Sequence, residues 1–480
     1  MRFLGGALLV ITSACGEVTV ISAPDAPPPD APPNAIDGAK SGTRLKLAWS
    51  DFGGTRAWAG FYDAQRMERC NISAWSDGHS YCVPSAQGTA FRDVACAQPV
   101  GVVYQDTTCT TAPPPTYLID YSNGACSSQP SHLYQRGAKL AVAQWYERGS
   151  DGTCFGPFSS TGIDFYALGT EVSPTDLAMV SLGSPLGEGR LGARAYTSAD
   201  GLAFPASLHD AVAGIDCAPQ SPYEGATQAT CVPLDAAYAS YYRDATCSAG
   251  EVELDRTCKA PQFAVSYADS CPTTRGRYYA VGAANTGSPL YYKSGTTCSA
   301  TTATPASYRY FGLGNELVLA SVNRAPDAAA GRRIVPIHDT WDTFSYPEAT
   351  LFDSTTGAEC TPYTFPDGSE HCIPAGYGTS SYFTNATCTA SIQLMSVYTG
   401  GATCSPPPLP SYAISYVPDA SGKCQSTYEV HPVAAAYTGS VYTLFGSTCY
   451  QLSTTYEVFY RVGATLPLST FASGMRMTDP

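Results

Sequence analysis

Short runs in which apolar and polar residues alternate recur along the chain, and no long stretch keeps the period of a helix. Examples are YLIDY (117–121), FAVSY (263–267) and YAISY (412–416). Alternation with a period of two places every second side chain on one face of a strand, so these runs predict strands. The 44 Gly and 37 Pro residues supply many turns between them. The pattern therefore predicts an all-β fold.

The cysteines indicate an internal repeat. The chain has 19 of them, and those after Cys15 fall into three sets of six. The first members, Cys70, Cys217 and Cys360, lie 147 and 143 residues apart. The second cysteine of each set continues as CVP, CVP or CIP, and the sixth ends DGTC, GTTC or GSTC. Self-similarity at a fixed spacing is typical of repeat proteins, so we predict three repeats of about 145 residues.

An aromatic residue, an Asp or Asn and a cysteine recur around the third cysteine of each set. The segments are FRDVAC (91–96), YYRDATC (241–247) and YFTNATC (382–388). Asp and Asn side chains bond to the backbone that follows them, so each segment predicts a strand end, an Asx-type turn and a disulfide cysteine. Asn385 replaces the acid in the third segment, which favours turn chemistry over an acidic ligand site.

An even number of cysteines in each repeat predicts three disulfides per repeat, formed in an oxidising compartment. Asp-Gly near the middle of two of the loops that follow the first cysteine is a hairpin turn signal. We therefore predict that the first two cysteines of each set pair in order, as Cys70–Cys82, Cys217–Cys231 and Cys360–Cys372. The pairing of the others stays open; they are Cys96, Cys109, Cys126, Cys154, Cys247, Cys258, Cys271, Cys298, Cys388, Cys404, Cys424 and Cys449.

Each repeat is long enough for roughly ten strands of the usual length. We favour a closed, β-propeller-like array of the three repeats, because short segments without a Pro-rich linker join them. Three tandem small β-domains are the alternative. The predicted order is a signal peptide at 1–14, a lipidated cysteine and tether at 15–42, and repeats at 43–189, 190–331 and 332–480.

The first residues, MRFLGGALLVITSAC, have the pattern of an export signal: one basic residue, an apolar run and small residues before Cys15. The ITSAC ending resembles the lipobox of bacterial lipoproteins, so we predict lipidation of Cys15, with an ordinary signal peptide as the alternative. A Pro- and Ala-rich segment, 22–42, follows and predicts an extended tether. These features predict an exported outer-membrane or cell-surface lipoprotein, or otherwise a secreted protein.

The charge of the chain argues against two classes of partner. Its net charge is −14, and its basic residues form no stripe along the sequence. Nucleic-acid binding proteins cluster Lys and Arg, so we predict no nucleic-acid partner. Acidity also opposes docking on anionic lipid, so contact with a membrane is expected only through the lipid anchor.

The sequence carries no recognisable catalytic or metal-binding motif. It lacks GxSxG, HExxH and phosphate-binding glycine patterns, and no CxxC pair or calcium-loop spacing occurs. We therefore predict no catalytic residue, no metal and no cofactor. A carboxylate pair of the glycosidase kind would be assembled only by the fold, so an enzyme stays open as an alternative.

Tryptophans give the candidate binding residues. Four of the five tryptophans fall in the first repeat, and Trp75 lies beside a predicted turn tip. An exposed aromatic ring offers a flat apolar face with a polar handle, which suits interfaces and sugar rings. We therefore predict Trp75, Trp58 and Trp49 as binding residues, with packing against the sheets as the alternative.

The layout GTRLK…FYD…C…DG…YCVP…FRDVAC resembles an uncharacterised family of cysteine-rich repeat lipoproteins of myxobacterial type. The resemblance covers nearly the whole chain after Gly42, and it implies surface display without any known activity. With the aromatic residues, it favours a surface-displayed, non-catalytic binding or adhesion protein for a glycan or an extracellular protein. A secreted hydrolase on a propeller scaffold and a structural cell-envelope protein are the alternatives.

Overall fold

The fold is known from a computed structural model. It describes residues 39–104, 115–121, 129–149, 153–187, 189–222, 225–255, 261–267, 276–285, 289–294, 297–301, 308–341, 344–399, 407–418, 426–452, 454 and 456–480. The predicted signal peptide, Cys15 and most of the predicted tether lie outside these residues. So do Cys109, Cys126, Cys258, Cys271, Cys404 and Cys424.

The described residues form strands and two short 3-10 helices, Pro174–Asp176 and Leu468–Thr470. The first strands are β1 (Leu45–Asp51), β2 (Arg56–Asp63), β3 (Glu68–Ala74), β4 (Ser80–Pro84), β5 (Ala86–Phe91), β6 (Pro99–Tyr104), β7 (Tyr117–Tyr121), β8 (Pro130–Leu140), β9 (Gln144–Arg148), β10 (Cys154–Ser159), β11 (Ile163–Val172) and β12 (Ala178–Leu182). Those in the middle are β13 (Leu191–Thr197), β14 (Ala203–Asp210), β15 (Ile215–Gln220), β16 (Gln228–Pro233), β17 (Ala236–Tyr242), β18 (Gly250–Asp255), β19 (Phe263–Ser266), β20 (Arg277–Asn285), β21 (Tyr291–Ser294), β22 (Thr297–Ala300), β23 (Tyr308–Glu316) and β24 (Ser321–Pro326). The last are β25 (Ile334–Trp341), β26 (Phe344–Asp353), β27 (Ala358–Thr364), β28 (Glu370–Pro374), β29 (Tyr377–Phe383), β30 (Ser391–Tyr398), β31 (Tyr412–Pro418), β32 (Ser426–Ala436), β33 (Tyr442–Phe445), β34 (Thr448–Gln451), β35 (Glu457–Val462) and β36 (Ser473–Thr478). The protein is thus all-β, as the alternation predicts.

Strands from the whole length of the described chain close into one barrel. Its order is β1-β2-β3-β4-β12-β13-β14-β15-β16-β24-β25-β26-β27-β28-β36, and β36 pairs with β1 to complete the ring. Strands β12, β24 and β36 each join one four-stranded meander to the next by antiparallel pairing. The barrel therefore depends on hydrogen bonds between residues that are distant in sequence.

Three seven-stranded sheets, here called the peripheral sheets, are formed by the chain between the fourth and last barrel strand of each third. Their orders are β10-β9-β5-β6-β11-β8-β7, β18-β23-β20-β19-β17-β21-β22 and β30-β35-β32-β31-β29-β33-β34. Each contains one parallel pairing, β5–β7, β17–β19 or β29–β31. Each sheet thus returns the chain to the barrel at a similar point.

This arrangement corrects the predicted propeller blades. A propeller repeats separate four-stranded sheets around a channel. Here the four-stranded meanders hydrogen-bond to one another through β12, β24 and β36, so the fifteen strands of the barrel form a continuous ring. The sequence pattern does not distinguish a propeller from a closed barrel of meanders, because both folds are made of short antiparallel strands.

The core of the barrel is built around the hairpin disulfides. Cys70–Cys82, Cys217–Cys231 and Cys360–Cys372 are bonded, with Cα–Cα distances of 5.2, 5.2 and 5.3 Å. Each bridge lies within its own cluster of buried apolar residues. These bridges join the strands of β3–β4, β15–β16 and β27–β28.

A second set of disulfides fixes the peripheral sheets. The bonded pairs are Cys96–Cys154, Cys247–Cys298 and Cys388–Cys449. In each, the earlier cysteine has a positive φ, of 49°, 53° and 49°. The residue three positions before each of these cysteines bonds across it: the carboxylates of Asp93 and Asp244 and the amide oxygen of Asn385 each accept from the two backbone N–H groups that directly follow the cysteine. The recurrent motif is therefore a turn that places a cysteine for cross-linking.

A buried arginine–aspartate pair recurs in each third of the barrel. Arg44, Arg190 and Arg333 make forked hydrogen bonds to Asp63, Asp210 and Asp353, whose side chains are 1%, 0% and 1% exposed. The same guanidinium groups donate to the carbonyl oxygens just before β12, β24 and β36, which are those of Asp176, Val318 and Thr470. Each pair thus ties the start of a meander to the strand that closes it.

The six bonds between described cysteines indicate an oxidising, extracellular environment. In the part of the chain that the structure describes, no helix has the length and apolar character needed to cross a membrane.

Candidate functional site

The three tryptophans predicted to bind a ligand are packed into the protein. Trp75 is 2% exposed and lies against Tyr81 at a ring-centroid distance of 6.0 Å. Trp49 is 3% exposed, and its indole N–H donates to Asp479 at 3.0 Å. Trp58 is half-buried against Phe204 at 4.8 Å. The structure therefore favours the packing alternative, because Trp75 and Trp49 are buried and Trp58 packs, partly buried, against the same apolar cluster as Trp49.

Tyrosines take the exposed positions instead. Tyr121, Tyr267 and Tyr416, at the ends of the matching runs YLIDY, FAVSY and YAISY, are 45%, 49% and 68% exposed. Tyr121 and Tyr416 lie on β7 and β31, and Tyr267 directly follows β19. These three strands are the ones that pair in parallel with β5, β29 and β17. We call three places the tyrosine sites: Tyr121 with the groove beside it, Tyr267 with Tyr238, and Tyr416 with Tyr363 and Tyr428. The recurrence of tyrosine at the end of these runs is the feature of the sequence that indicates these exposed rings.

The first tyrosine site is an open groove of about 550 Å³ between the barrel hairpin β3–β4 and the strands β7 and β8. Tyr121 forms part of its wall, together with the polar side chains of Asn71, Ser73 and Gln129. Pro130 adds apolar surface. The groove thus combines one aromatic face with amide and hydroxyl groups that both donate and accept hydrogen bonds.

The second tyrosine site presents two stacked rings. Tyr267 lies on Tyr238 with ring centroids 5.9 Å apart and an interplanar angle of 29°. Tyr238 is 64% exposed, so the pair forms an aromatic surface that faces solvent. The second site thus presents two rings to solvent, where the first site presents one.

The third tyrosine site is a cluster of three rings that bridges the barrel and a peripheral sheet. Tyr363 on β27 lies edge-on to Tyr428 on β32 at 4.0 Å, and Tyr428 lies 4.8 Å from Tyr416 on β31. A hydrogen bond with the Tyr416 hydroxyl, with burial, raises the pKa of Tyr428 to about 12. Burial and the nearby Tyr416 raise the pKa of Tyr363. The Tyr363 and Tyr428 hydroxyls therefore stay neutral at physiological pH and are able to donate.

One serine–histidine pair has the spacing of a nucleophile and a base. Ser415 Oγ lies 3.0 Å from His431 Nε2, and His431 Nδ1 lies 3.1 Å from the Gly463 carbonyl oxygen. Both side chains are more than nine-tenths buried, and Gln393 and Thr379 also hydrogen-bond to Ser415 Oγ. A substrate does not reach Ser415 in this arrangement, so we interpret the group as a packed polar network. Among the described residues no group of three His, Cys, Asp or Glu side chains is placed to hold a metal ion.

The model of a family of unknown function (DUF7481) matches residues 30–471, which is most of the chain. No curated protein and no solved structure matches it.

Proposed function

We propose that this chain, which belongs to the DUF7481 family of unknown function, is a surface-displayed protein that binds carbohydrate at the three tyrosine sites. The observation that carries the proposal is the exposure of Tyr121, Tyr267 and Tyr416 at matching places on the three peripheral sheets. A tyrosine ring offers an apolar face to the C–H groups of a sugar, and its hydroxyl bonds to sugar hydroxyls. Repetition of such sites would let several weak contacts act together.

Polar neighbours favour a sugar over a protein surface as the ligand. A stable protein interface buries about 800 Å² on each partner around an apolar centre. The first tyrosine site is instead a groove with one aromatic ring among Asn71, Ser73 and Gln129. Hydroxyl-rich ligands match such a mixture, because each hydroxyl both donates and accepts.

Threefold construction and display at the cell surface form part of the same proposal. Three sets of cysteines, buried Arg–Asp pairs and seven-stranded sheets support three copies of one unit, at 43–189, 190–331 and 332–480. The disulfides support export. Lipidation of Cys15, an outer-membrane location and the tether at 15–42 remain predictions from the sequence.

A glycan array tests the proposal with the full chain in its oxidised form. We expect saturable binding to a defined set of glycans, and loss of about five- to thirty-fold in affinity when Tyr416 is changed to alanine. The triple variant Tyr121→Ala, Tyr267→Ala and Tyr416→Ala should lose binding. Tyr398→Ala is the matched control, because Tyr398 is 51% exposed but lies outside the tyrosine sites.

Two outcomes would contradict carbohydrate binding. One is the absence of binding to any glycan at high protein concentration. The other is an equal loss in Tyr398→Ala and Tyr416→Ala, which would show that any exposed tyrosine contributes through non-specific contact. Either outcome directs the search to a protein partner or a structural role.

A further inference from the structure

A second groove, here called the polar groove, lies at the start of strands β3 and β7 in the first third of the chain. Its volume is about 440 Å³, and its wall is formed by Arg44, Gln65, Arg66, Tyr117, Thr175 and Asp176. This volume falls in the range of about 300–1,000 Å³ that is typical of small-molecule sites. Because all six side chains form hydrogen bonds readily, the groove suits a polar ligand.

Hydrogen bonds fix the two arginines of this wall. Arg66 Nε donates to Glu68 Oε1 at 2.5 Å, and Arg66 Nη2 donates to the Tyr117 hydroxyl at 2.7 Å. Tyr117 in turn donates to Glu68 Oε1 at 3.1 Å. Arg44 donates from Nε and Nη2 to Asp63, which is 1% exposed. Both guanidinium groups are thus held in place before a ligand arrives, which lowers the entropic cost of binding.

Other polar groups of the wall are left unused by these contacts. Within the described part of the chain, Nη1 of Arg44, Nη1 of Arg66 and the side-chain amide of Gln65 make no hydrogen bond. The Asp176 carboxylate and the amide oxygen of Gln65 add acceptors to these donors. A hydroxyl group both donates and accepts, so a hydroxyl-rich molecule satisfies such a mixed set.

The same place in the second third of the chain is apolar. The turns compare directly, because Asp63 and Asp210 each lie seven residues before a hairpin cysteine. Gln65, Arg66 and Glu68 are replaced there by Val212, Ala213 and Ile215. Phe263 takes the place of Tyr117, and it packs with Ala213 against the buried cluster that contains Ile215. The polar groove is therefore particular to the first third in this comparison, and the second third shows which residues would abolish it.

The polar groove and the first tyrosine site lie along the same two strands. Tyr117 begins β7 and Tyr121 ends it, so their Cα atoms are about 13 Å apart at a rise of about 3.3 Å per residue. Arg66 precedes β3 by two residues, whereas Asn71 and Ser73, in the wall of the tyrosine site, lie further along β3. The two grooves thus follow one another in the same direction along both strands.

We propose that the polar groove and the first tyrosine site are two subsites for one oligosaccharide chain, which lies along β3 and β7. This inference rests on the proposed carbohydrate binding and deepens it, because it makes the ligand of the first third an extended chain. Tyr121 provides an aromatic face at one end, and Gln65 and Arg66 provide hydrogen bonds at the other. The second third, with Val212 and Ala213 at the matching places, has only the aromatic end.

Isothermal titration calorimetry on the full, oxidised chain tests this inference with neutral, linear homo-oligosaccharides of one to six units. The probes are oligomers of glucose, mannose, galactose or N-acetylglucosamine. The parent protein carries Tyr267→Ala and Tyr416→Ala, so that binding at the first tyrosine site alone is measured. For a series that binds, we expect the hexasaccharide to bind at least about tenfold more tightly than the disaccharide, because only the longer chain contacts both grooves.

Variants of this parent separate the polar groove from the tyrosine site. Gln65→Val should weaken the hexasaccharide about three- to tenfold, and it should leave the disaccharide, which we expect at Tyr121, unchanged. Gln65 is exposed and its amide makes no hydrogen bond to the described residues, so the change removes no such contact of the fold. Arg66→Ala should weaken the hexasaccharide at least about tenfold. Gln144→Val, at an exposed glutamine outside both grooves, is the matched control and should change neither affinity.

Three results would overturn this inference while carbohydrate binding stands. They are equal affinities for the disaccharide and the hexasaccharide, an unchanged hexasaccharide affinity in Gln65→Val and Arg66→Ala, and binding on the glycan array without binding of any linear series. Absence of binding both to these series and to the array would instead contradict the proposed function itself.

Discussion

We expect Asp210→Asn to lower the free energy of unfolding of the barrel by about 3 kcal/mol. Asp210 is 0% exposed and receives Nε and Nη2 of Arg190 at 3.0 and 2.7 Å. Removing one partner of a buried ion pair costs about 3–5 kcal/mol. The lower end applies because the Arg190 side chain is 32% exposed and keeps contact with water. Asparagine has nearly the same shape, so the change isolates the charge.

The pH dependence of this loss has a definite sign. Burial alone would raise the pKa of Asp210, but the hydrogen bonds from Arg190 and from the N–H groups of Ala213 and Val212 outweigh it and lower that pKa. A lowered pKa means that the carboxylate stabilises the folded state fully above its unfolded pKa of about 3.9. This contribution is lost as the pH falls through the folded pKa. The difference between wild type and variant should therefore be constant above about pH 5 and shrink at lower pH.

Urea unfolding followed by tryptophan fluorescence, with the disulfides intact, measures the difference at each pH. Glu316→Gln is the control, because its partner Arg277 and Glu316 itself are 62% and 44% exposed, and water screens such a pair. Equal losses in Asp210→Asn and Glu316→Gln would refute the reasoning. So would a difference that persists unchanged at pH 2, which lies below the unfolded pKa of an aspartate, so that the unfolded chain is protonated and the contribution of Asp210 is reduced.

Three further results are expected. Trp75→Ala should cost about 3–5 kcal/mol in a thermal or urea melt, since the ring is 2% exposed in the core; a stability equal to wild type would show that the ring is not packed there. Changing Cys247 and Cys298 together to serine should cost about 4 kcal/mol in the chain-entropy treatment of a 51-residue separation, and a urea midpoint that does not move would contradict it. Tyr416→Phe should bring the pKa of Tyr428 down from about 12 towards the ordinary tyrosine value, because the hydrogen bond that raises it is removed; NMR titration of ring-labelled tyrosine measures this, and an unchanged pKa would exclude that hydrogen bond as the cause.

Features set by a few neighbouring residues could be predicted from the sequence. The turns at Asp93, Asp244 and Asn385 depend on one side chain and the backbone that follows it, and the structure forms them. All-β structure follows from alternation along single strands. Both depend on interactions within a few residues of the chain.

Closure of the barrel and exposure of the aromatic residues depend on contacts that a single sequence does not reveal. Strand β36 pairs with β1 across more than four hundred residues, and nothing local in either strand specifies the other. Trp75 lies five residues after its hairpin cysteine, as Phe365 does in the third meander, and both rings are buried. An aromatic residue at both places is a sign of packing, whereas the position of Trp75 beside a predicted turn tip led to the prediction of an exposed binding residue.

The seam between β1 and β36 also brings the two ends of the described chain together. Ser41 Oγ donates to Asp479 at 2.8 Å, and Lys46 Nζ donates to the Pro480 carbonyl oxygen at 2.6 Å. A short peptide linker would therefore join residue 480 to residue 41 without disturbing the ring. New termini opened between β12 and β13 or between β24 and β25 would leave the same strands in the same order around the barrel. The fold is in this sense compatible with circular permutation, because the point at which its chain starts is not fixed by the ring.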